Sequence, residues 1–253
     1  MRTLKGKSVL ITGGGSGIGE GAARHFASKG AKVTIAGRRE EPLQKVQEAI
    51  GELCHVVVGD VTQASDRRRM VTEAVNHGEG LEVLISNAGN IYRCEVPEFD
   101  EEALLGIFHS NVVGGMMLVS EAHEFLREAK GCVIFVGSVH TQRAFPNASP
   151  YAATKGALES LTGVLAAELG PQGIRVSCVR PGAVITEINV RAGLSTQAEA
   201  AERLEGMSNL HALGRIGNVE DIAEAFEYLA CSDWVTGNVL TVDGGLGLGV
   251  TNE

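Results

Sequence analysis

Short apolar runs alternate with helical patterns along nearly the whole chain, and this alternation constrains the fold more than any other feature. Seven runs rich in β-branched residues are apolar throughout, as in parallel strands buried on both faces. They cover residues 8–12, 32–36, 55–59, 82–86, 132–137, 174–179 and 238–242, and helical patterns cover residues 17–29, 41–50, 64–77, 101–128, 150–169 and 219–230. The alternation predicts an α/β fold: a doubly wound, mainly parallel seven-stranded sheet with helices on both faces.

No linker-like stretch or internal repeat interrupts the pattern. We therefore expect residues 1–253 to form a single catalytic domain, a length that can bury a sizeable core. Residues 186–216 depart from the alternation because they are polar, helix-prone and rich in Ala and Glu. Since this segment follows a strand end, we interpret it as a lid over a substrate site.

Charge and cysteine usage exclude several classes of protein. The net charge of -9 argues against binding to nucleic acid or to anionic membranes. The five cysteines are scattered and form no C-x-x-C pair, which indicates a reducing compartment and a cytoplasmic location. The histidines show no metal-ligand spacing with the cysteines, so we expect no metal. We see neither a signal peptide nor an apolar run long enough to span a membrane.

A glycine-rich turn follows the first predicted strand and leads into the first helix. Gly13 allows a sharp turn, Gly17 allows close approach of a phosphate to the backbone, and Gly19 allows close packing of the helix. The N–H groups at the start of a helix favour a pyrophosphate. The position of the turn predicts a Rossmann-type dinucleotide site. Its contacts would be Gly13, Gly15, Ser16, Gly17, Ile18 and Gly19.

The end of the second predicted strand bears on the choice of cofactor. An acidic residue there would bind a ribose 2′-hydroxyl, but this chain has Gly37, Arg38 and Arg39. Gly37 leaves room, and Arg38 can pair with a phosphate as a fork. We therefore favour NADP(H) over NAD(H), although both arginines could instead solvate a loop beside Glu40 and Glu41.

Two further strand ends carry candidate cofactor contacts. Asp60, with Val61 beside it, could accept a hydrogen bond from an adenine amino group, or could equally form a turn or an N-cap. Asn87, Ala88 and Gly89 follow the fourth strand. Their small size permits close approach to the cofactor, and Asn87 can bridge neighbouring strand ends.

Tyr151 and Lys155 lie one helical turn apart on the same predicted face. An ammonium group beside a phenol favours the phenolate, which makes the tyrosine a usable general acid or base. The Tyr-x-x-x-Lys spacing is common by chance. It gains weight here because a dinucleotide site is predicted in the same chain.

These motifs together resemble those of the short-chain dehydrogenase/reductase family in its single-domain form, from Gly6 to about Gly245. Ser86 departs from the family pattern, which usually has asparagine there. The matching residues are Thr12, Gly13, Gly17, Ile18, Gly19, Asp60, Asn87, Ala88, Gly89, Asn111, Ser138, Tyr151, Lys155, Pro181, Gly182, Thr186, Asp243, Gly244 and Gly245.

The resemblance implies a role for each matching residue in the reaction. Tyr151 would exchange a proton with the substrate oxygen, and Ser138 would hydrogen-bond that oxygen. Lys155 would hold the nicotinamide ribose, and Asn111 would anchor a water that relays protons from Lys155 to solvent. Taken singly, each residue also fits a structural role; Asn111, for instance, could cap or kink the long helix. Pro181, Gly182, Ile185 and Thr186 would surround the nicotinamide.

The predicted pocket walls, at residues 90–93, 139–145 and 183–185 and in the lid, are mildly apolar. They include His140, Gln142 and Phe145, and they favour a small, neutral ketone or secondary alcohol. His140 could donate to a second substrate oxygen or simply line the pocket.

Three other functions remain open. The C-terminal half resembles 3-oxoacyl-[acyl-carrier-protein] reductases, although Ala129, Cys132 and Gln172 stand where basic docking residues are usual, and only Lys130 remains. A nucleotide-sensing regulator could use the same fold. A sugar-nucleotide epimerase would need a larger C-terminal region. The resemblance also implies a homotetramer or homodimer, formed through helices 101–128 and 150–169 and the C-terminal strand, with the tail 246–253 reaching a neighbouring subunit.

Overall fold

Seven parallel strands form one sheet in the computed structural model, which describes residues 3–186, 193, 196, 198–199, 202 and 206–249. The spatial order is β3-β2-β1-β4-β5-β6-β7, with every neighbouring pair parallel. This confirms the predicted doubly wound fold. The strands are β1 (Ser8–Thr12), β2 (Lys32–Gly37), β3 (Cys54–Val58), β4 (Val83–Ser86), β5 (Cys132–Val136), β6 (Arg175–Pro181) and β7 (Val239–Val242).

Helices cover both faces of the sheet. One apolar cluster joins the sheet to α1, α2 and α7, and a second joins it to α3, α5 and α6. The helices are α1 (Gly17–Ser28), α2 (Glu40–Ile50), α3 (Ala64–Gly78), α4 (Glu101–Phe108), α5 (Gly114–Ala129), α6 (Ser149–Leu169) and α7 (Val219–Cys231).

The fourth and fifth helices occupy the region for which the sequence predicts one helix at residues 101–128. Between them, His109–Val113 form a π-helical turn. Such a turn accommodates an extra residue and is frequent at functional sites. Here it contains Asn111, which is buried and held by hydrogen bonds to a neighbouring loop.

Among the residues that the structure describes, the helical run Glu101–Ala129 contains a stretch that is long and apolar enough, by length and composition, to cross a membrane. The prediction that the chain has no apolar run long enough to span a membrane was therefore wrong by length and composition. Leu118, Ala122 and Leu126 of this run are fully buried in the second apolar cluster. One side of the run therefore packs against the sheet, whereas Leu105, Met116 and Met117 of the same run are exposed.

The strand order reverses at β1, which lies between β2 and β4. In open α/β sheets ligands bind beyond the carboxyl ends of the strands at such a reversal. The predicted site residues after β1, β2, β4, β5 and β6 therefore share one edge of the sheet. Part of the predicted lid 186–216 lies outside the described residues; within the described part, Ser208–Leu210 form a 3-10 turn.

Candidate active site

The glycine-rich turn after β1 brings backbone groups into contact that side chains would separate. Gly13 has a φ of 68°, in the left-handed region that favours glycine. A Cβ on Gly19 would overlap the carbonyl oxygen of Gly13 and lie 2.6 Å from Asn87 Nδ2. The first turn of α1 can therefore sit against the β1 turn only with glycine at this position.

Asn87 joins the ends of β1 and β4. Its Nδ2 donates to the carbonyl oxygens of Thr12, at 2.8 Å, and Gly13, at 3.3 Å. The backbone N–H groups of Asn87 and Ala88 donate to Thr12 Oγ1. This network fixes the two loops that meet at the strand-order reversal.

A polar cavity of about 570 Å³ extends from this turn past the ends of β2 and β3. Arg38 stands at its rim, exposed, with its guanidinium 3.9 Å from the Asp60 carboxylate and 3.4 Å from Asn90 Oδ1. Arg39 Nη2 lies 3.4 Å from Ser16 Oγ. The cavity lining includes Gly13, Gly15, Ser16, Gly37, Arg38, Arg39, Asp60, Val61, Ala88 and Gly89.

Asp60 combines the two arrangements that the sequence left open. Its Oδ1 accepts hydrogen bonds from the backbone N–H and the hydroxyl of Thr62, both at 2.9 Å, so the residue builds the turn after β3. The N-cap position of α3 is Gln63, so Asp60 is no N-cap. The same residue also lines the polar cavity.

An inner cavity adjoins the polar one and shares Gly89 and Asn90 with it. It lies beyond the ends of β4, β5 and β6. The predicted residues in its lining are Ile18, Asn87, Gly89, Ser138, His140, Phe145, Tyr151, Lys155, Pro181, Gly182 and Thr186.

Tyr151 and Lys155 lie in the first turns of α6, which begins at Ser149 with Pro150 in its first turn. Both side chains are buried. Lys155 Nζ donates to the carbonyl oxygen of Val136 at 2.8 Å and lies 5.5 Å from the centre of the Tyr151 ring. The end of β5 thus holds the ammonium group beside the phenol.

Ser138 follows β5 after one residue, Gly137; it has an extended conformation and begins a 3-10 turn, Val139–Thr141. Its Oγ accepts a hydrogen bond from the backbone N–H of His140 at 3.3 Å. The side chain is buried except for its contact with the inner cavity. Its hydroxyl and the Tyr151 phenol therefore line the same space.

His140 lies between Ser138 and an arginine. Its Nδ1 is 3.0 Å from Ser138 Oγ, and its Nε2 is 3.3 Å from Arg93 Nη2. The ring packs against Phe145, with centroids 4.5 Å apart, and edge-on against Tyr151, at 5.2 Å. The sequence placed Arg93 only within a pocket wall, because no spacing rule connects it to His140, 47 residues away.

Asn111 supports the loop that separates the two cavities. Its Oδ1 accepts from the Asn90 N–H at 2.8 Å, and its Nδ2 donates to the Asn90 carbonyl oxygen at 2.9 Å and to Thr154 Oγ1 at 3.1 Å. A Cβ on Gly89 would lie 3.1 Å from Asn111 Oδ1 and 3.8 Å from Lys155 Nζ. Asn111 and Lys155 therefore flank the same glycine.

Five predicted residues line neither cavity: Gly17, Gly19 and Asn111 lie in elements that border the cavities, whereas Gln142 and Ile185 do not join the cluster. Gln142 is exposed and lies outside both cavity linings; a Cβ on Gly247 would lie 2.7 Å from its Oε1. Ile185 is 60% exposed and also lies outside both linings. In the part of the chain that the structure describes, no three His, Cys, Asp or Glu side chains lie close enough together to hold a metal ion.

The two adjoining cavities fit a dinucleotide. The first turn of α1 has no side-chain cap from Ser16, so its N–H groups can serve an anion. The polar cavity has the volume and arginines for an adenosine with its phosphates, and the inner cavity has Lys155 and the Pro181–Gly182 turn. Gly89, which both cavities share, lets a ligand approach the backbone closely.

Comparisons with known proteins agree with this geometry. The family model described as enoyl-(acyl carrier protein) reductase matches residues 13–247. A glucose 1-dehydrogenase from Gluconobacter oxydans is 36% identical over 96% of this chain and 92% of its own length.

Two solved structures resemble this chain in fold and in sequence. A short-chain dehydrogenase/reductase of unknown function from Caenorhabditis elegans, solved with cofactor, has a TM-score of 0.90 at 28% identity, covering 98% of this chain and 97% of its own. A 3-ketoacyl-(acyl-carrier-protein) reductase from Brucella melitensis complexed with NADH has a TM-score of 0.86 at 32% identity, covering 97% and 100%. The chain therefore belongs to the short-chain dehydrogenase/reductase family, whose members are oxidoreductases that use NAD(P)(H) and act on CH–OH or C=O groups of small molecules.

Proposed function

We propose that this protein is an NADP(H)-dependent oxidoreductase that interconverts a small ketone and a secondary alcohol, with Tyr151 as general acid and base. One observation carries the proposal: Tyr151, Ser138 and Lys155 converge on the wall of one cavity that adjoins the polar cavity with its glycine-rich turn and arginines. The apolar part of that wall, which includes Ile91, Phe145, Val184 and Leu246, suits a neutral substrate.

The mechanism assigns one task to each side chain. NADP(H), when bound, supplies or accepts the hydride. Tyr151 gives its phenolic proton to the carbonyl oxygen in reduction and takes it back in oxidation. Ser138 hydrogen-bonds the same oxygen and stabilises the negative charge that develops on it.

Lys155 and Asn111 support the proton transfer. The Lys155 ammonium group lies 5.5 Å from the centre of the Tyr151 ring, and it would hold the nicotinamide ribose hydroxyl groups. Asn111 fixes the loop beside Lys155 through its two hydrogen bonds to Asn90. We assign to it the anchoring of a water that passes protons between Lys155 and solvent.

A substitution of the general acid tests the activity directly. Tyr151→Phe keeps the ring and removes the proton donor. We expect kcat to fall about 10²- to 10⁴-fold, the usual contribution of general acid catalysis, while the Kd for NADPH stays near the wild-type value. A panel of ketones and secondary alcohols, followed by the change in NADPH absorbance, provides the measurement. Undiminished turnover in the Phe variant would sink the assignment, and cofactor binding without turnover on any compound would favour a nucleotide-sensing regulator.

The preference for NADP(H) rests on Arg38 and Arg39 at the rim of the polar cavity, with Gly37 leaving space beside them. A guanidinium group binds a ribose 2′-phosphate through charge-assisted hydrogen bonds worth about 1.5–3 kcal/mol. We therefore expect Arg38→Ala to weaken NADPH binding roughly 10- to 100-fold and to leave NADH binding unchanged, as measured by fluorescence titration. An equal loss for both cofactors, or tighter NADH binding by the wild type, contradicts this preference.

Reduction of a 3-oxoacyl group on acyl carrier protein is the second candidate, because a structural neighbour carries that name. At the usual docking positions, Cys132 is buried in β5, and Gln172 lies 2.8 Å from His123 Nε2. With a net charge of -9, the chain offers an acidic carrier little attraction. A comparison of kcat/KM for a 3-oxoacyl carrier protein and for its pantetheine-length thioester decides the matter, since a true carrier reductase prefers the protein-bound substrate.

A further inference from the structure

We propose that Arg93 and His140 are positioning residues that hold the Ser138 hydroxyl as an obligatory hydrogen-bond donor to the substrate oxygen. This inference rests on the proposed function, because it concerns how Ser138 meets the reacting oxygen. It assigns a task to a charged side chain in the inner cavity, Arg93, to which the proposed reaction gives none.

Arg93, His140 and Ser138 form a chain of hydrogen bonds, and the chemistry of arginine determines which group donates at each step. A guanidinium group has five N–H donors and no acceptor, so His140 Nε2 must accept the contact from Arg93 Nη2 at 3.3 Å. An imidazole whose Nε2 accepts carries its proton on Nδ1. The Nδ1–H group of His140 then donates to Ser138 Oγ at 3.0 Å. Arg93 thereby fixes His140 in its neutral Nδ1–H form.

The same contacts determine what the serine hydroxyl can do. A hydroxyl has two acceptor positions and one donor. Ser138 Oγ accepts from His140 Nδ1 at 3.0 Å and from the His140 backbone N–H at 3.3 Å, so both acceptor positions are filled. Its O–H is then directed to an oxygen in the cavity. The positive charge at the far end polarises the chain and strengthens this last hydrogen bond.

The surrounding structure holds the residues of this hydrogen-bond chain in place. The Arg93 loop is tied at Asn90 by the Asn111 side chain and next to Arg93 by the Cys94 N–H, which donates to the Asn147 carbonyl oxygen at 3.1 Å. The His140 ring is packed between Phe145 and Tyr151. Because the ring is confined, it stays in the same orientation when its proton moves from one nitrogen to the other.

Loss of Arg93 has a specific consequence. Without the guanidinium, His140 can place its proton on Nε2, and the Nδ1 lone pair then faces Ser138. The serine O–H donates to this lone pair instead of to the substrate. Arg93→Met should therefore mimic removal of the serine hydroxyl in catalysis while leaving the fold and the cofactor site intact.

The proton position can be measured independently of turnover. With ¹⁵N-labelled histidine, long-range ¹H–¹⁵N spectra distinguish a protonated from an unprotonated ring nitrogen, and His140→Phe identifies the His140 signals by their absence. We expect the wild type to show a proton on Nδ1 and Arg93→Met to show loss of that preference. A wild-type proton on Nε2, or the same proton position in both proteins, overturns the proposal even if no substrate is ever found.

Kinetics with the best ketone from the substrate panel provide the second readout. Ser138→Ala should lower kcat about 100-fold, and Arg93→Met should lower it about tenfold or more with little change in KM, since removal of one oxyanion-type donor costs about 10²–10³. The double variant should be no slower than Ser138→Ala alone, because the arginine acts only through the serine. Arg93→Lys, which retains a donor, should recover part of the loss.

Arg24→Met is the matched control. Arg24 is an arginine of α1 whose ion pair with Glu20 lies on the surface, far from both cavities. It should behave as wild type in both experiments. Independent losses that multiply in the Arg93→Met/Ser138→Ala variant would show that Arg93 acts by another route, and an unchanged kcat in Arg93→Met would exclude any role in turnover.

Discussion

A partly buried ion pair lies directly behind the Ser138 turn. Arg180 Nη2 lies 2.6 Å from Glu159 Oε2, and Arg180 Nε lies 2.8 Å from Glu159 Oε1, with the two side chains 13% and 14% exposed. Thr141 Oγ1 is within hydrogen-bond distance of both Glu159 Oε1 and the Ser138 carbonyl oxygen. The pair therefore anchors the turn that carries Ser138 to α6 and β6.

Removal of the carboxylate should destabilise the protein. Glu159→Ala leaves the Arg180 guanidinium largely buried without its counter-ion, and we expect the free energy of unfolding to fall by about 3 kcal/mol. Urea denaturation followed by circular dichroism measures this. Glu124→Ala removes a carboxylate whose partner, Arg127, is exposed, so the denaturation midpoint should hardly move. Equal changes in unfolding free energy for the two substitutions would show that the buried pair stabilises the protein no more than the exposed one.

At the scale of elements, the contact between the first turn of α1 and the β1 turn depends on Gly19. Gly19→Ala introduces a Cβ that overlaps the Gly13 carbonyl oxygen and crowds Asn87 Nδ2. The helix must shift, at a cost of about 1–3 kcal/mol in unfolding free energy. The shift also moves the helix N-terminus, so NADPH and NADH should lose affinity equally, unlike in Arg38→Ala.

Gly163→Ala provides the control for this substitution. Gly163 lies within α6, and a Cβ there meets nothing within 4 Å. An alanine favours the helix at an open glycine position, and Gly163 lies outside both cavity linings, so this variant should bind both cofactors normally. If Gly19→Ala bound NADPH with wild-type affinity, the turn would not be the phosphate site.

The sequence predicted the elements well where burial imposes a period. All seven strands were predicted from apolar runs, and β1, β2, β4, β5 and β6 are mostly buried, as such runs indicate, whereas β3 and the edge strand β7 are only partly buried. The π-helical turn His109–Val113 was not predicted, because the apolar pattern continues through it and the contacts of Asn111 with Asn90 and Thr154 are distant in sequence. The Arg93–His140 and Glu159–Arg180 contacts join residues 47 and 21 positions apart, which no local pattern reveals. Gln142 and Ile185 lie in irregular segments, where no period indicates the direction of a side chain.

At the scale of the whole molecule, α4, α5 and α6 present large apolar side chains to the surface. Leu105, Val113, Met116, Met117 and Val164 are 38–65% exposed. A surface groove between α5 and α6, lined by Met116 and Leu165 among others, makes the two helices one continuous apolar face. A large apolar patch on a protein surface is typical of a subunit interface. We therefore propose that the chain forms homodimers or homotetramers through this face.

A charge on this face should separate the subunits. Met116→Glu places a carboxylate where an identical chain would bring its own copy close, so both desolvation and like-charge repulsion oppose association. Light scattering coupled to size-exclusion chromatography should show a dimer or tetramer for the wild type and a lower mass for Met116→Glu. The melting temperature of the wild type should also rise with protein concentration, and that of the variant should not. Val96→Glu adds the same charge at a 70% exposed position outside this face and should leave the mass unchanged. A monomeric wild type, or a Met116→Glu protein of wild-type mass, would contradict the proposal that this face is the subunit interface.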